Sequence, residues 1–384
     1  MTRRLAIVAS HVIQYQDPFF RALAADPKID VTVFYCSRAG AEIYRDADMQ
    51  TSLKWDIELL QGYRHVFLRN FGHGDGYARL INPGVIPAIT RGNFDAVLFF
   101  LGWGTITSLL GIATCRVTGT PFLLYGDSSF PPPEDTWRAR LRAMFIRGVF
   151  ALASGFMVSG VLNAVYYQHY GGDRRRFFLL PWAIDNERFA SASRFEPGER
   201  NAMRARFGIA PEQVAFVFSA KLVARKDPMT LLRAVARMKD RDRAVVVFLG
   251  HGELREQLAA FAREHRLNVK FAGFVNQADL PKHYAMCDVF VLPSTYEPRG
   301  AVINEAMACG LPVVVTDRCG SLGDIVQEND NAFVYPAGHA DALARALEAL
   351  MDDALRARMG QRSREIIATW DYARGVEGVK EALR

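Results

Sequence analysis

Short apolar runs bounded by Gly, Pro, Asn or Asp recur along nearly the whole chain, separated by segments of helical spacing. In the first half they fall at 5–10, 31–35, 96–101, 122–125, 155–158 and 177–180. In the second half they fall at 214–219, 244–250, 269–272, 289–292, 313–316 and 333–335. Uninterrupted apolar strands alternating with helices predict parallel sheets covered on both faces. Two such series predict an α/β chain of two Rossmann-like, doubly wound domains, each receiving ligands at the carboxyl ends of its strands.

The first domain is expected over 1–183 and the second over 184–365. The linker lies in 181–198, where Pro181 to Phe189 leave the last strand of the first half and a Ser-, Glu- and Gly-rich stretch follows. The final segment, 366–384, reads as a helix that packs back on the first domain. The run 5–9 after two arginines is too short for a signal peptide and is broken by Ser10 and His11, so it reads as a first buried strand. No run approaches the roughly 20 apolar residues that cross a bilayer. Residues 137–147 read as a basic helix with Trp137, Leu141, Met144 and Phe145 near one face and Arg138, Arg140, Arg142 and Arg147 mostly elsewhere. The pattern favours an apolar face turned into the core, and leaves open a face resting on an anionic membrane.

A length of 384 residues suits two domains, and a chain that is half hydrophobic and 23% charged is built to fold. The net charge of +6 is a mild excess that would suit a phosphorylated substrate, an anionic membrane surface or nucleic acid alike, and no nucleic-acid partner is expected. Cys36, Cys115, Cys287, Cys309 and Cys319 are scattered without a Cys-x-x-Cys pair. They predict neither a disulfide framework nor a zinc site, and point to the cytoplasm, with the inner face of the membrane as a peripheral alternative.

The chemistry concentrates in 288–310, DVFVLPSTYEPRGAVINEAMACG. A buried strand ends at Pro293, a polar loop follows, and a helix begins near Ala301 or Val302 and stops at Gly310. Glu297 in the loop and Glu305 in the helix are eight positions apart, a reach of about 12 Å along an ideal helix. That is the scale of a sugar and a ribose joined through a diphosphate, and carboxylates accept hydrogen bonds from hydroxyl pairs. Between them the Arg299-Gly300-Ala301-Val302 backbone can offer amides to phosphate oxygens at a helix N-terminus.

This stretch resembles the Glu-x7-Glu motif of the retaining glycosyltransferases of family 4, enzymes of the two-domain GT-B fold. The likeness covers the second half: 219–228 (SAKLVARKDP), 249–252 (LGHG), 269–275 (VKFAGFV) and 292–320 follow the family pattern. It implies that Lys226, with Lys221 in a place usually held by Arg, binds the donor's phosphates. It implies that Glu305 grips the ribose and Glu297 the donor sugar, while Gly250, Gly273 and Val275 line the nucleotide; Gly252 reads better as a turn glycine. Arg299 stands where an aromatic is common, and would add a cation near the phosphates or the acceptor. Asp127 stands where relatives often have a catalytic His, and Asp127 or Ser128 would either substitute for it or cap the next element. Gln14 and Tyr15, after the first strand, are acceptor-side candidates.

The implied reaction is metal-free retaining transfer of a hexose from a UDP- or GDP-sugar to a glycan, lipid-linked or small acceptor, with no cofactor beyond that co-substrate. Closure about a hinge in 181–198 and at the C-terminal helix is the expected motion. Surface polysaccharide or glycolipid synthesis is the expected setting. A dinucleotide oxidoreductase lacks its Gly-x-Gly-x-x-Gly after the first strand, where Ala9-Ser10-His11 stand, and GHGDG at 72–76 follows no clear strand. A glycan phosphorylase or an epimerase shares the architecture. An inactive partner subunit of a glycan assembly complex is the non-enzyme alternative.

Overall fold

The protein is described from a computed structural model covering residues 2–46, 51–72 and 76–384. His73, Gly74 and Asp75 of the glycine-rich stretch 72–76 lie outside the described residues. The chain divides into two compact units: Met1–Tyr44, Ile57–Ala183 and Asp371–Arg384 form the first, Arg45–Asp56 and Ile184–Trp370 the second.

The first unit opens with β1 (Arg3–Ala9), α1 (Asp17–Ala25) and β2 (Ile29–Tyr35). A small pair, β3 (Tyr44–Asp46) and β4 (Thr51–Leu53), leads to β5 (Arg64–Phe67) and α2 (Val85–Gly92). Then come β6 (Ala96–Phe99), α3 (Ile106–Thr118), β7 (Phe122–Tyr125), α4 (Trp137–Leu152), β8 (Gly155–Val158), α5 (Val161–His169) and β9 (Phe177–Leu179). The sheet has the order β5-β2-β1-β6-β7-β8-β9, all parallel. Each apolar run read in this half is a strand of it. β5 escaped the sequence reading because it is an edge strand with no fully buried position, so its alternation reads as polar.

Successive side chains of β1 go to opposite faces. Ala6 and Val8 join a core with Val85, Ile112, Ile146 and Phe150 from the helices after β5. Leu5, Ile7 and Ala9 join another with Phe19, Phe20 and Leu23 of α1. This two-sided burial is why the strand shows no polar alternation.

The second unit contains α6 (Asn186–Ala192), α7 (Glu199–Arg206), β10 (Val214–Ser219), α8 (Pro228–Arg237), β11 (Ala244–Leu249), α9 (Arg255–Glu264), β12 (Asn268–Gly273) and α10 (Leu280–Ala285). It continues with β13 (Val289–Leu292), α11 (Ala301–Ala308), β14 (Val313–Thr316), β15 (Ala332–Tyr335), α12 (Ala340–Ala349) and α13 (Asp353–Ala368). The parallel order is β12-β11-β10-β13-β14-β15. Strand order reverses between β10 and β13, which opens a crevice at their carboxyl ends. Residues 54–56 belong here through Asn276, whose amide donates to Lys54 O (2.7 Å), and Trp55, whose ring lies 6.3 Å from Phe274.

The last helix, α14 (Tyr372–Ala382), returns to the first unit and buries Val376 and Val379 with α1 and β1. The return begins at Asp371 rather than at 366, since α13 runs to Ala368 within the second unit. Gly378 makes the contact close: a Cβ there would stand 1.8 Å from Leu179 O. All five cysteines are buried free thiols. Among the described residues no helix is long and apolar enough to cross a membrane.

Candidate functional site

The residues singled out in 219–305 gather at the carboxyl ends of β10 to β13. Lys221 lies two residues past the end of β10 and is half-buried. Three residues on, a short 3-10 turn over Ala224–Lys226 carries Lys226, and Asp227 closes it by capping α8 through Thr230. The loop after β13 is tied to this turn: Thr295 N donates to Arg225 O (3.0 Å) and Arg225 Nη1 to Tyr296 O (3.1 Å). These ties bring the Lys226 ammonium onto Glu297 Oε2 in a close ion pair, both side chains nearly buried. Glu297 is fixed by its backbone as well, its N–H donating to Arg318 O (2.9 Å) and its carbonyl accepting from Gly320 N (2.8 Å). A cation and a carboxylate thus meet at the topological switch point.

Gly300 takes φ +74° to turn this loop into α11, with Glu297 Cγ and Ile303 Cδ1 crowding the place where a Cβ would stand. Ala301 and Val302 form the first turn, half-buried, and among the described residues no side chain caps it. Glu305 lies one turn on and is buried, receiving the Tyr284 hydroxyl on Oε2 at 2.9 Å. Burial pushes its carboxyl up to about 7, against the opposing pull of the Tyr284 hydroxyl, the Arg188 charge and Gln277. Arg188 is itself held by Gln277, through its carbonyl and its side-chain oxygen, each at 2.7 Å. Gly250 N donates to Gly273 O (2.7 Å), setting the turns after β11 and β12 side by side, and Val275 follows half-buried.

Arg299 corrects the sequence reading. Its guanidinium does not stand ready for phosphate: it is buried, bound to Gly320 O (2.7 Å) and Asp324 Oδ2 (3.0 Å), and locks the loop after β14. A long basic side chain reads as solvent- or ligand-facing, and its acid lies 25 positions away, so nothing local signalled the pair. Tyr284, Arg188 and Gln277 were also not singled out, because only the fold brings α6, α10 and α11 together.

In the first unit, loops after β1, β6 and β7 surround a cavity of about 620 Å³. Tyr15, Asp127 and Ser128 line it, with Tyr77, Trp103 and Trp182; Gln14 is not among its lining residues. Asp127 and Ser128 do not cap the next helix, since Thr136 caps α4. Asn163 braces their loop instead, its amide donating to Gly126 O (3.1 Å) and Ser128 O (2.7 Å). Tyr15 packs on Trp182 at 5.3 Å, and its carbonyl accepts from the Tyr372 hydroxyl (2.9 Å). The cavity is therefore aromatic-walled, with the Asp127 carboxylate and the Arg142 guanidinium among its described lining side chains. Rings of this kind suit sugar faces, and the polar groups suit hydroxyls or an anion. Among the described residues no three His, Cys, Asp or Glu side chains gather as metal ligands.

Residues 199–366 match the family model for group 1 glycosyl transferases. A D-inositol 3-phosphate glycosyltransferase of Geodermatophilus obscurus is 35% identical over 200 residues, which are 47% of this chain and 42% of that protein. A GDP-mannose-dependent alpha-(1-6)-phosphatidylinositol monomannoside mannosyltransferase of Mycobacterium tuberculosis is 33% identical over 205 residues, 50% of this chain and 52% of that one. A lipopolysaccharide core biosynthesis glycosyltransferase of Rhizobium meliloti is 34% identical over 167 residues, 43% and 47% of the two chains. The chain thus spans about half the length of these curated relatives. Solved structures are similar along the whole chain. HepE of Anabaena, solved with UDP, gives a TM-score of 0.74 at 18% identity over 100% of this chain and 99% of its own. WaaG, a glycosyltransferase involved in lipopolysaccharide biosynthesis, gives 0.66 at 19% identity over 98% of each chain. The chain has the GT-B fold, and its residues 199–366 carry the pattern of the group 1 glycosyl transferases.

Proposed function

We propose that the protein is a retaining glycosyltransferase that moves a hexose from a UDP- or GDP-sugar to an acceptor glycan or glycolipid. The observation that carries this reading is the Lys226–Glu297 pair at the β10/β13 switch point, followed by Glu305 on the next helix. A donor of this class needs a cation for its diphosphate, an acceptor for its sugar hydroxyls and another for its ribose. These groups supply all three. Relatives whose names specify phosphatidylinositol mannosides and lipopolysaccharide core favour a surface glycan or glycolipid product.

In the proposed reaction Lys226, Lys221 and the first-turn amides of α11 carry the charge that develops on the leaving diphosphate, without a metal. The bond from the anomeric carbon to the diphosphate oxygen breaks, its electron pair leaving with the diphosphate. An acceptor hydroxyl bonds to the same face and passes its proton to the departing phosphate oxygen. Glu297 holds the moving sugar by its hydroxyls. Asp127 and Ser128 bind hydroxyls on the acceptor side.

A thermal-shift panel of UDP, GDP, ADP, NAD and common sugar conjugates, without added metal, tests this. One nucleoside diphosphate is expected to stabilise the protein, by about 2.7 kcal/mol at a hundredfold excess over Kd, and Glu305→Ala should abolish the shift. No shift with any nucleotide, or a shift indifferent to both Glu305→Ala and Lys226→Ala, would remove the donor-site assignment. Proton NMR of the product anomer tests retention.

A further inference from the structure

Helix α4 is inside out relative to its sequence. Its core face is Ala143, Ile146, Val149 and Phe150. The residues that read as the core stripe, Trp137, Leu141, Met144 and Phe145, point the other way, as does Leu152; the five are between 41 and 66% exposed. At 3.6 residues per turn these five fall within about 100° of arc, along the whole length of the helix. Gly148 sits in the middle of that arc, with nothing within 4 Å of where its Cβ would be. The helix has no acidic residue, and its four arginines flank the stripe, Arg138 and Arg142 on one side, Arg140 and Arg147 on the other. Among the described residues Arg147 alone of the four pairs with an acid, Glu134 at 3.0 Å.

We propose that this face of α4 docks the protein on an anionic lipid surface, lying in the headgroup layer. An exposed apolar stripe between two cationic margins matches a bilayer, where apolar side chains enter the acyl boundary and arginines meet phosphates. A second copy of the chain fits worse, since two-fold pairing would press cationic margins together. The stripe also adjoins the cavity of the first unit: Phe145 lies 6.2 Å from Trp103, a lining residue, and Arg142 of α4 lines the cavity itself. On the glycosyltransferase reading, and only there, this places the acceptor cavity beside the lipid from which a lipid-linked acceptor would be drawn.

Co-sedimentation with vesicles of phosphatidylcholine alone, and of phosphatidylcholine mixed with phosphatidylglycerol, tests the docking face. The protein should pellet with the mixed vesicles at low salt and not with phosphatidylcholine alone. Leu141→Glu with Met144→Glu should abolish binding. Arg138→Ser with Arg140→Ser should weaken it on the order of tenfold or more and flatten its salt dependence. All four positions are exposed, so both variants should fold, which circular dichroism and thermal unfolding without nucleotide check. Failure of the wild-type protein to pellet, or unchanged binding by both variants, would overturn the proposal. So would a dimer in sedimentation velocity without lipid that Leu141→Glu with Met144→Glu dissociates. The vesicle assay contains no nucleotide and the nucleotide assay no lipid, so either reading can fail without the other.

Discussion

Glu305 is the residue whose surroundings are most at odds with its charge. Unfolded, its carboxyl titrates near 4.5; folded, burial holds the proton until about 7. The native state therefore binds the extra proton between these values. Stability should be highest below this window, fall as pH rises through it, and level off above. Urea unfolding at pH 5 and pH 8 should show Glu305→Gln losing less stability across the interval than the wild-type chain, by on the order of 2–3 kcal/mol. Glu297 is paired with the Lys226 ammonium. Glu297→Ala should lower kcat about 10²–10³-fold with a small effect on nucleotide affinity, measured by steady-state kinetics and calorimetric titration. Arg299→Met should cost about 3–5 kcal/mol in urea unfolding by breaking the buried pair with Asp324, and leave nucleotide affinity of the folded protein unchanged. Glu297 and Glu305 were legible because they sit in the loop after a buried strand and on the helix that follows, which the local pattern marks, whereas Lys226 was legible only through the family resemblance. The orientation of Arg299 was not, because its partner comes from a distant loop.

At the scale of elements, the buried strands declared themselves through uninterrupted Val, Ile, Leu and Phe, and the structure has a strand at every run. Edge strands and helix faces were harder. β5 alternates as any half-solvated edge does. α4 carries two apolar stripes, and nothing in sixteen residues says which one the sheet will take. The sheet took the stripe of Ala143, Ile146, Val149 and Phe150 and left Trp137, Leu141, Met144 and Phe145 outside. Close approach governs α14, where Gly378 rides on the Leu179 carbonyl. Gly378→Ala should therefore destabilise by about 1–3 kcal/mol or more, and limited proteolysis should release the last helix before either sheet is cut.

For the molecule as a whole, the sequence yielded two α/β units and missed that Arg45–Asp56 groups with the second. A hairpin-sized excursion carries too few apolar residues to announce its allegiance. Each unit has a core of its own, so calorimetry should resolve more than one unfolding step. A bound nucleoside diphosphate should raise chiefly the step of the second unit, which holds Lys226, Glu297 and Glu305.

The return of α14 has a consequence in time as well as in space. Val376 and Val379 complete the core around β1, which is made before most of the second unit, yet they leave the ribosome after everything in that unit. The second unit can therefore finish folding while the first still lacks one wall, its β1–α1 side left open to chaperones until translation passes residue 379. A core begun before the second unit is closed only after it.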